Sequence, residues 1–412
     1  MSHDRRGRGD IAISGIGLVT AAGIGVTANW QRVIAGTATA AQDAALAGLA
    51  TDFSCRVPGF DGDALLGRRL AWRLDRFVQL AIVAAREAIA DSGLDPAAWP
   101  GERVGVVVGN SLGGTETVER AHRTFYAGDP DDVSPLTVPM GMVNMVAGYV
   151  AMDCGARGPG LVTATACASG TTALGVARDL LLSGACDIVV AGGTESALTP
   201  ATVTTLGRMG ALSVRRSDPA TASRPFDIDR DGFVAAEGAG MLVLERAGDA
   251  RSRGARVHAR IAGYAATADA HHATAPEPTG AGIERAVRLA LADAALAPED
   301  IDHVNAHGTS TPLNDVAEAG ALHRVFGDRV AVTSTKGVTG HALAGAGAIE
   351  AAYTALALRD GVVPPTANLQ RIDPRVEVDV VAGAARRGPL TAAVSTSMGF
   401  GGNNAALVIT PA

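Results

Sequence analysis

The chain has 412 residues, 47% hydrophobic and 19% charged, which is enough apolar material for one large domain or two fused ones, and a formal net charge of -7. That balance argues against a general nucleic-acid binder, and no apolar run is long and unbroken enough to span a bilayer. The opening MSHDRRGRGD has no apolar stretch behind its arginines, so cytoplasmic residence is expected, with residues 1–9 disordered.

Taken in chain order, residues 10–18 read as a β-rich strand ending in glycine, a shape that returns at 103–109 and 187–193. The amphipathic pattern of 75–91 predicts a helix, and the small, nearly apolar stretch 171–183 predicts a buried one. The theme restarts with strand 258–264, then helix 281–294, strand 302–306, helix 314–325, strand 329–334 and helix 343–358. A strand, a glycine turn and a strand close the chain over 391–410. Alternating strands and helices indicate layered α/β architecture, and the restart indicates two similar halves, 10–255 and 256–412. The polar segments 214–232 and 269–280 read as functional loops, because apolar strands resume directly after each.

Cys55, Cys154, Cys167 and Cys186 form no C-x-x-C pair and suit reduced thiols. Cys167 stands apart. In LVTATACASGTTALG a β-branched strand runs into a small-residue helix, so the thiol lies at a helix N-terminus, where unpaired N–H groups and the helix dipole favour the thiolate. Cys154 and Cys186 have no such turn and read as inert.

His307 follows an apolar strand in HVNAHGTSTPLND, before a helix expected to be capped by Asn314 or Asp315. His341 lies in STKGVTGHALAGAGAIE, again between a strand and a helix. Their separate loops lack any metal-ligand spacing, so no metal is expected. Of the 35 basic residues, 34 are arginine and one is lysine, Lys336. A compact, rotatable ammonium fits a crowded polar site that a planar guanidinium does not, so position 336 reads as one that requires lysine. Finally, Met398-Gly399-Phe400-Gly401-Gly402-Asn403-Asn404 places a glycine loop between the last two strands, able to aim N–H groups at a developing oxyanion.

Together, TACASG around Cys167, SRPFDIDRDGFVAAEGAGMLVLE from Ser223 to Glu245, NAHGTSTPLND, STKGVTGH and GFGGNN resemble the elongating β-ketoacyl-acyl-carrier-protein synthases of the thiolase-like superfamily, from Ile11 to Ile409. The resemblance implies two duplicated α/β halves in five layers (αβαβα). It also implies a homodimer or a heterodimer with a chain-length-factor-like homologue, and an acyl carrier protein as partner.

It implies roles as well. Cys167 takes the acyl group, with the N–H groups of Cys167 and Phe400 as oxyanion hole. His307 and His341 hold the malonyl thioester carbonyl through decarboxylation, and Lys336, paired with Glu350, orients them. Thr309 and Thr311 match positions that hold the pantetheine arm, and Phe233 and Phe400 match apolar gates. No cofactor is implied.

The sequence departs from the family pattern in two places. Asp131 and Asp132 stand where basic residues commonly help dock the carrier, which shifts that role to Arg68, Arg69, Arg73, Arg215 and Arg216. Met398 and Asn403 replace the usual Phe and Thr, and Met398 with Leu112, Met140, Met142 and Met145 suggests an adaptable acyl tunnel. A thiolase would need a second cysteine in the glycine loop, and a non-catalytic chain-length factor would lack the nucleophile. Fatty-acid and type II polyketide or polyene elongation stay open alternatives.

Overall fold

The computed structural model describes residues 10–412, so the expectation for residues 1–9 lies outside the described residues. The first half contributes strands β1 (Ile11–Thr20), β2 (Val104–Gly109), β3 (Gly160–Thr163), β4 (Ile188–Ser196) and β5 (Glu237–Arg246). The second contributes β6 (Ala259–Ala268), β7 (His303–Asn305), β8 (Ala331–Thr333), β9 (Ala393–Gly399) and β10 (Asn403–Thr410). The first set lies in the order β3-β2-β4-β5-β1 and the second in the order β8-β7-β9-β10-β6. Counted within its own half, each set is therefore arranged third, second, fourth, fifth, first. The pairings match too: the outer three strands of each set run parallel, the remaining pairs antiparallel. β1 and β6 join the sets along a short antiparallel seam, Ile11 opposite Ile261.

Strand periodicity explains the layers. Val104, Val106, Val108, Met241 and Val243 point to one face and pack on helices α1 (Arg76–Ser92) and α2 (Met145–Cys154). Val107, Val189, Ala191, Leu242 and Leu244 point to the other face, toward α3 (Ser169–Leu182) and α6 (Ala346–Asp360). In the second half, Leu407 and Ile409 join that same inner cluster, while Val408, Val304 and Val394 turn outward to α4 (Ala281–Ala294) and α5 (Pro312–Phe326). The result is helix, sheet, helix, sheet, helix. Because α6 is enclosed by both sheets, its residues from Ala346 to Leu358 are all buried, as a helix without a polar face must be. Gly170 shows how tightly the central helices meet: a Cβ there would stand 2.7 Å from the Ala348 backbone nitrogen.

One element boundary is corrected. α5 begins at Pro312 with Thr311 as its flanking residue, because proline at the first helical position has no N–H to satisfy. Asn314 and Asp315 therefore sit inside the first turn. Asp315 instead accepts the backbone N–H groups of Ser310 (3.1 Å) and Phe226 (2.8 Å).

Candidate active site

Cys167 sits in a single 3-10 turn, Ala166–Ala168, between the end of β3 and the start of α3. Ala166 is left-handed (φ 49), a costly conformation for an L-residue, and the turn around it is held by side chains. Ser169 Oγ donates to Ala166 O (2.6 Å) and accepts from Thr165 N–H (2.9 Å), and Ser111 Oγ also donates to Ala166 O (3.1 Å). The expected depression of the thiol pKa is corrected by the structure. Burial pushes Cys167 up to about 12, against the pull of the Lys336 ammonium and the Phe400 N–H, with the Glu195 and Glu350 carboxyls adding to the rise. The resting group is a thiol.

His307 follows β7, and its backbone is fixed by a carboxylate on α5. Glu318 Oε1 accepts His307 N–H (2.8 Å), and Oε2 accepts Gly308 N–H (2.7 Å). Thr396 Oγ1, on β9, donates to the same carboxylate (2.7 Å). His341 arrives from a different direction, bridging to the segment after Phe233: its N–H donates to Val234 O (2.8 Å) and its O accepts Ala236 N–H (3.1 Å). The rings of His307 and His341 meet edge to face with centroids 5.2 Å apart, and Phe233 packs edge-on against His341 at 5.1 Å.

Lys336 is 1% exposed and closes the cluster. Its Nζ donates to His307 O (2.6 Å), to His307 Nδ1 (3.3 Å) and to Glu350 Oε1 on α6. An ammonium has no lone pair, so His307 Nδ1 must accept, and the ring proton resides on Nε2. Burial, then the Lys336 charge, then His341 hold His307 well below the ordinary histidine range; burial and Lys336 do the same to His341. Both rings are neutral at neutral pH. Burial also pushes Glu350 up to about 7 against the attraction of Lys336.

The fold thus collects one residue from the first half and three from the second: a Cys167 ligand atom and nitrogens of His307 and His341 lie within 4.8 Å of one another. Sequence spacing hid this convergence. A thiol and two imidazoles also suit a soft divalent ion, but the Lys336 ammonium against His307 opposes a second cation there.

Residues 8–250 match the family described as Beta-ketoacyl synthase, N-terminal domain, and residues 258–370 match Beta-ketoacyl synthase, C-terminal domain. The chain belongs to the β-ketoacyl synthase family. Among its relatives in that family, a 3-oxoacyl-[acyl-carrier-protein] synthase 2 of Synechocystis is 41% identical, over 96% of this chain and 97% of its own. The ishigamide ketosynthase/chain length factor superposes with a TM-score of 0.92 at 32% identity, covering 98% of this chain and 100% of that one. A type II polyketide ketosynthase, solved with its acyl-carrier protein and a hexaketide, gives a TM-score of 0.90 at 30% identity, covering 98% and 99%. The expected thiolase-like fold is shared with these structures.

In this β-ketoacyl synthase Cys167, His307 and His341 open into a cavity of about 480 Å³. Phe233, Thr309, Thr311, Leu112, Met398 and Phe400 all line it. Thr309 and Thr311 are hydrogen-bonded to each other (3.0 Å), and Leu112 reaches the surface, 45% exposed. Met140 lies elsewhere, lining a separate polar cavity with Arg56, Asp75, Arg76, Glu116 and Arg120. Met142 is exposed and Met145 half-buried.

The five arginines divide as well. Arg68, Arg69 and Arg73 are exposed and form no ion pair among the described residues. Arg216 is already paired with Asp52 (2.6 Å), and half-buried Arg215 donates to Asp229 O (3.0 Å). Asp131 and Asp132 form an exposed 3-10 turn.

Two buried carboxyls were not foreseen. Glu318 has been described; Glu195, at the end of β4, accepts from Asn110 Nδ2 (2.9 Å) and from the N–H groups of Ser111 (3.2 Å) and Leu112 (3.3 Å). It thereby fixes the wall of the cavity beside Cys167, and burial pushes it up to about 8. The available signal for Glu318 was its place four residues after Asn314, on the helix face that meets the His307 loop.

Proposed function

We propose that the chain carries out decarboxylative Claisen condensation between an acyl group held on Cys167 and malonyl-acyl-carrier protein, elongating a fatty-acid or type II polyketide or polyene chain. The observation that carries this reading is the convergence of Cys167, His307 and His341 on one cavity, with Lys336 fixing the tautomer of His307.

Acylation exchanges one thioester for another. The Cys167 sulfur attacks the acyl carrier thioester, and the carrier thiol leaves with the proton. The N–H groups of Cys167 and Phe400 stabilise the tetrahedral oxyanion. Malonyl-carrier protein then enters, and His307 and His341 donate hydrogen bonds to its thioester oxygen. As carbon dioxide departs, the electrons of the broken bond form an enolate that these bonds stabilise. The enolate carbon attacks the acyl-Cys167 carbonyl, expelling the sulfur, which takes up a proton. Neutral imidazoles suit this role, since each has one N–H to donate and adds no charge beside Lys336. Lys336 and Glu350 orient the His307 ring, Thr309 and Thr311 hold the pantetheine arm, and Phe233 and Phe400 gate the reacting groups. Met398 and Leu112 border the acyl path.

Division of the chain at 255/256 would leave the nucleophile in one half and the histidines and lysine in the other. Carrier docking falls chiefly to Arg68, Arg69 and Arg73, which have charge to spare. Assembly as a homodimer, or as a heterodimer with a chain-length-factor-like homologue, is supported by the free outer edge of β3 and the exposed Leu161 upon it. Cytoplasmic residence is supported by four buried free thiols; among the described residues no helix is long and apolar enough to cross a membrane. The test is a condensation assay with acyl- and malonyl-carrier protein, following carbon dioxide and a product two carbons longer. Absence of the 3-oxoacyl product across chain lengths would refute the reading.

A further inference from the structure

The loop bearing Phe400 is restrained by a side chain that touches none of the reacting groups. The peptide joining Phe400 to Gly401 is held at both ends: its oxygen accepts from Asn403 Nδ2 (2.9 Å), and its N–H donates to Ala273 O (2.7 Å). Gly401 (φ 81) and Gly402 (φ 73) are both left-handed, so this turn has backbone freedom that the two tethers remove. A Cβ on Gly401 would stand 3.0 Å from Asn403 Nδ2, which shows the amide folded directly against the turn. The preceding residue lies along the nucleophile: a Cβ on Gly399 would be 3.1 Å from the Cys167 nitrogen.

We propose that Asn403 is a positioning residue for acyl transfer, its carboxamide fixing the Phe400–Gly401 peptide so that the Phe400 N–H stays aimed at the oxygen of a thioester on Cys167. This rests on the reading of Cys167 as the acyl carrier. The role requires a donor. An aspartate of nearly the same shape presents only acceptors to the Phe400 carbonyl, and would repel it.

The test compares wild type, Asn403→Asp and Asn403→Ala in two reactions of Cys167: acylation by an acyl-carrier protein, and alkylation by iodoacetamide. Alkylation displaces iodide and passes through no oxyanion, so the tether is not needed for it. Acylation is expected to slow about tenfold in both variants while alkylation stays within about twofold. Acylation within about twofold of wild type overturns the proposal, as does a parallel fall in both reactions, which would mean that Asn403 acts on the thiol or the fold. The alanine variant decides the matter should the aspartate disturb folding. A wild-type chain that takes no acyl group overturns the proposed function itself, and the proposal with it.

Discussion

Lys336 Nζ lies 3.3 Å from His307 Nδ1 and 2.6 Å from the same residue's carbonyl oxygen, so one ammonium fixes both the ring and the backbone of His307. Its third partner is Glu350 on the central helix α6. All three donors of the ammonium are therefore used in a space from which water is excluded.

A guanidinium cannot satisfy these partners from the same place, because its donors lie in a rigid plane. Lys336→Arg should keep the charge and lose condensation by about tenfold or more, measured as kcat with acyl- and malonyl-carrier protein. Turnover close to wild type would show that the site needs only a positive charge.

In the proposed reaction His307 and His341 act on the malonyl thioester, not on the acylation of Cys167. His307→Ala and His341→Ala should still accept an acyl group, visible by intact mass, while condensation falls about 100- to 1,000-fold. Loss of acylation in parallel with condensation would assign these rings to activating the thiol instead.

His303, four residues before His307, tests a different consequence of burial. Its Nδ1 bonds to Ala331 O (2.8 Å), its Nε2 has no partner, and burial holds it down at about 4. The unfolded chain protonates this histidine near pH 6.5 and the folded chain does not, so its contribution to stability falls as pH drops from that value toward 4. Between pH 7 and pH 5 the loss is about 2 kcal/mol. His303→Gln should therefore lose about 2 kcal/mol less than wild type over that interval in denaturant unfolding at the two pH values, whatever its stability at pH 7. Equal losses would show that His303 is protonated in the folded chain.

Much of this site was legible because its chemistry depends on short motifs at strand ends. Cys167, His307, Lys336 and the Phe400 loop each follow a strand legible in the sequence, His341 follows one helical turn after Lys336, and the rarity of lysine singled out position 336. The repeated order of strands along the chain was legible for the same reason, since the strand pattern restarts over 258–264. Features set by three-dimensional crossing were not. Glu318 and Glu195 matter because of which loops pass over them, and Met140 misses the Cys167 cavity because the segment between Thr137 and Gly141 packs beside the helix Thr115–Ala127, with Met140 on a separate cavity shared with Asp75 and Arg120. The thiol pKa was misjudged because the local helix end was visible in the sequence, whereas the enclosing second half was not.

In the proposed reaction Cys167 carries the acyl chain. Intact-mass analysis of the protein incubated with acyl-carrier proteins of several chain lengths tests it most directly, with Cys167→Ala in parallel. One acyl adduct is expected on the wild-type chain, mapped to Cys167, and none on the variant. An adduct of the same mass on Cys167→Ala would contradict it.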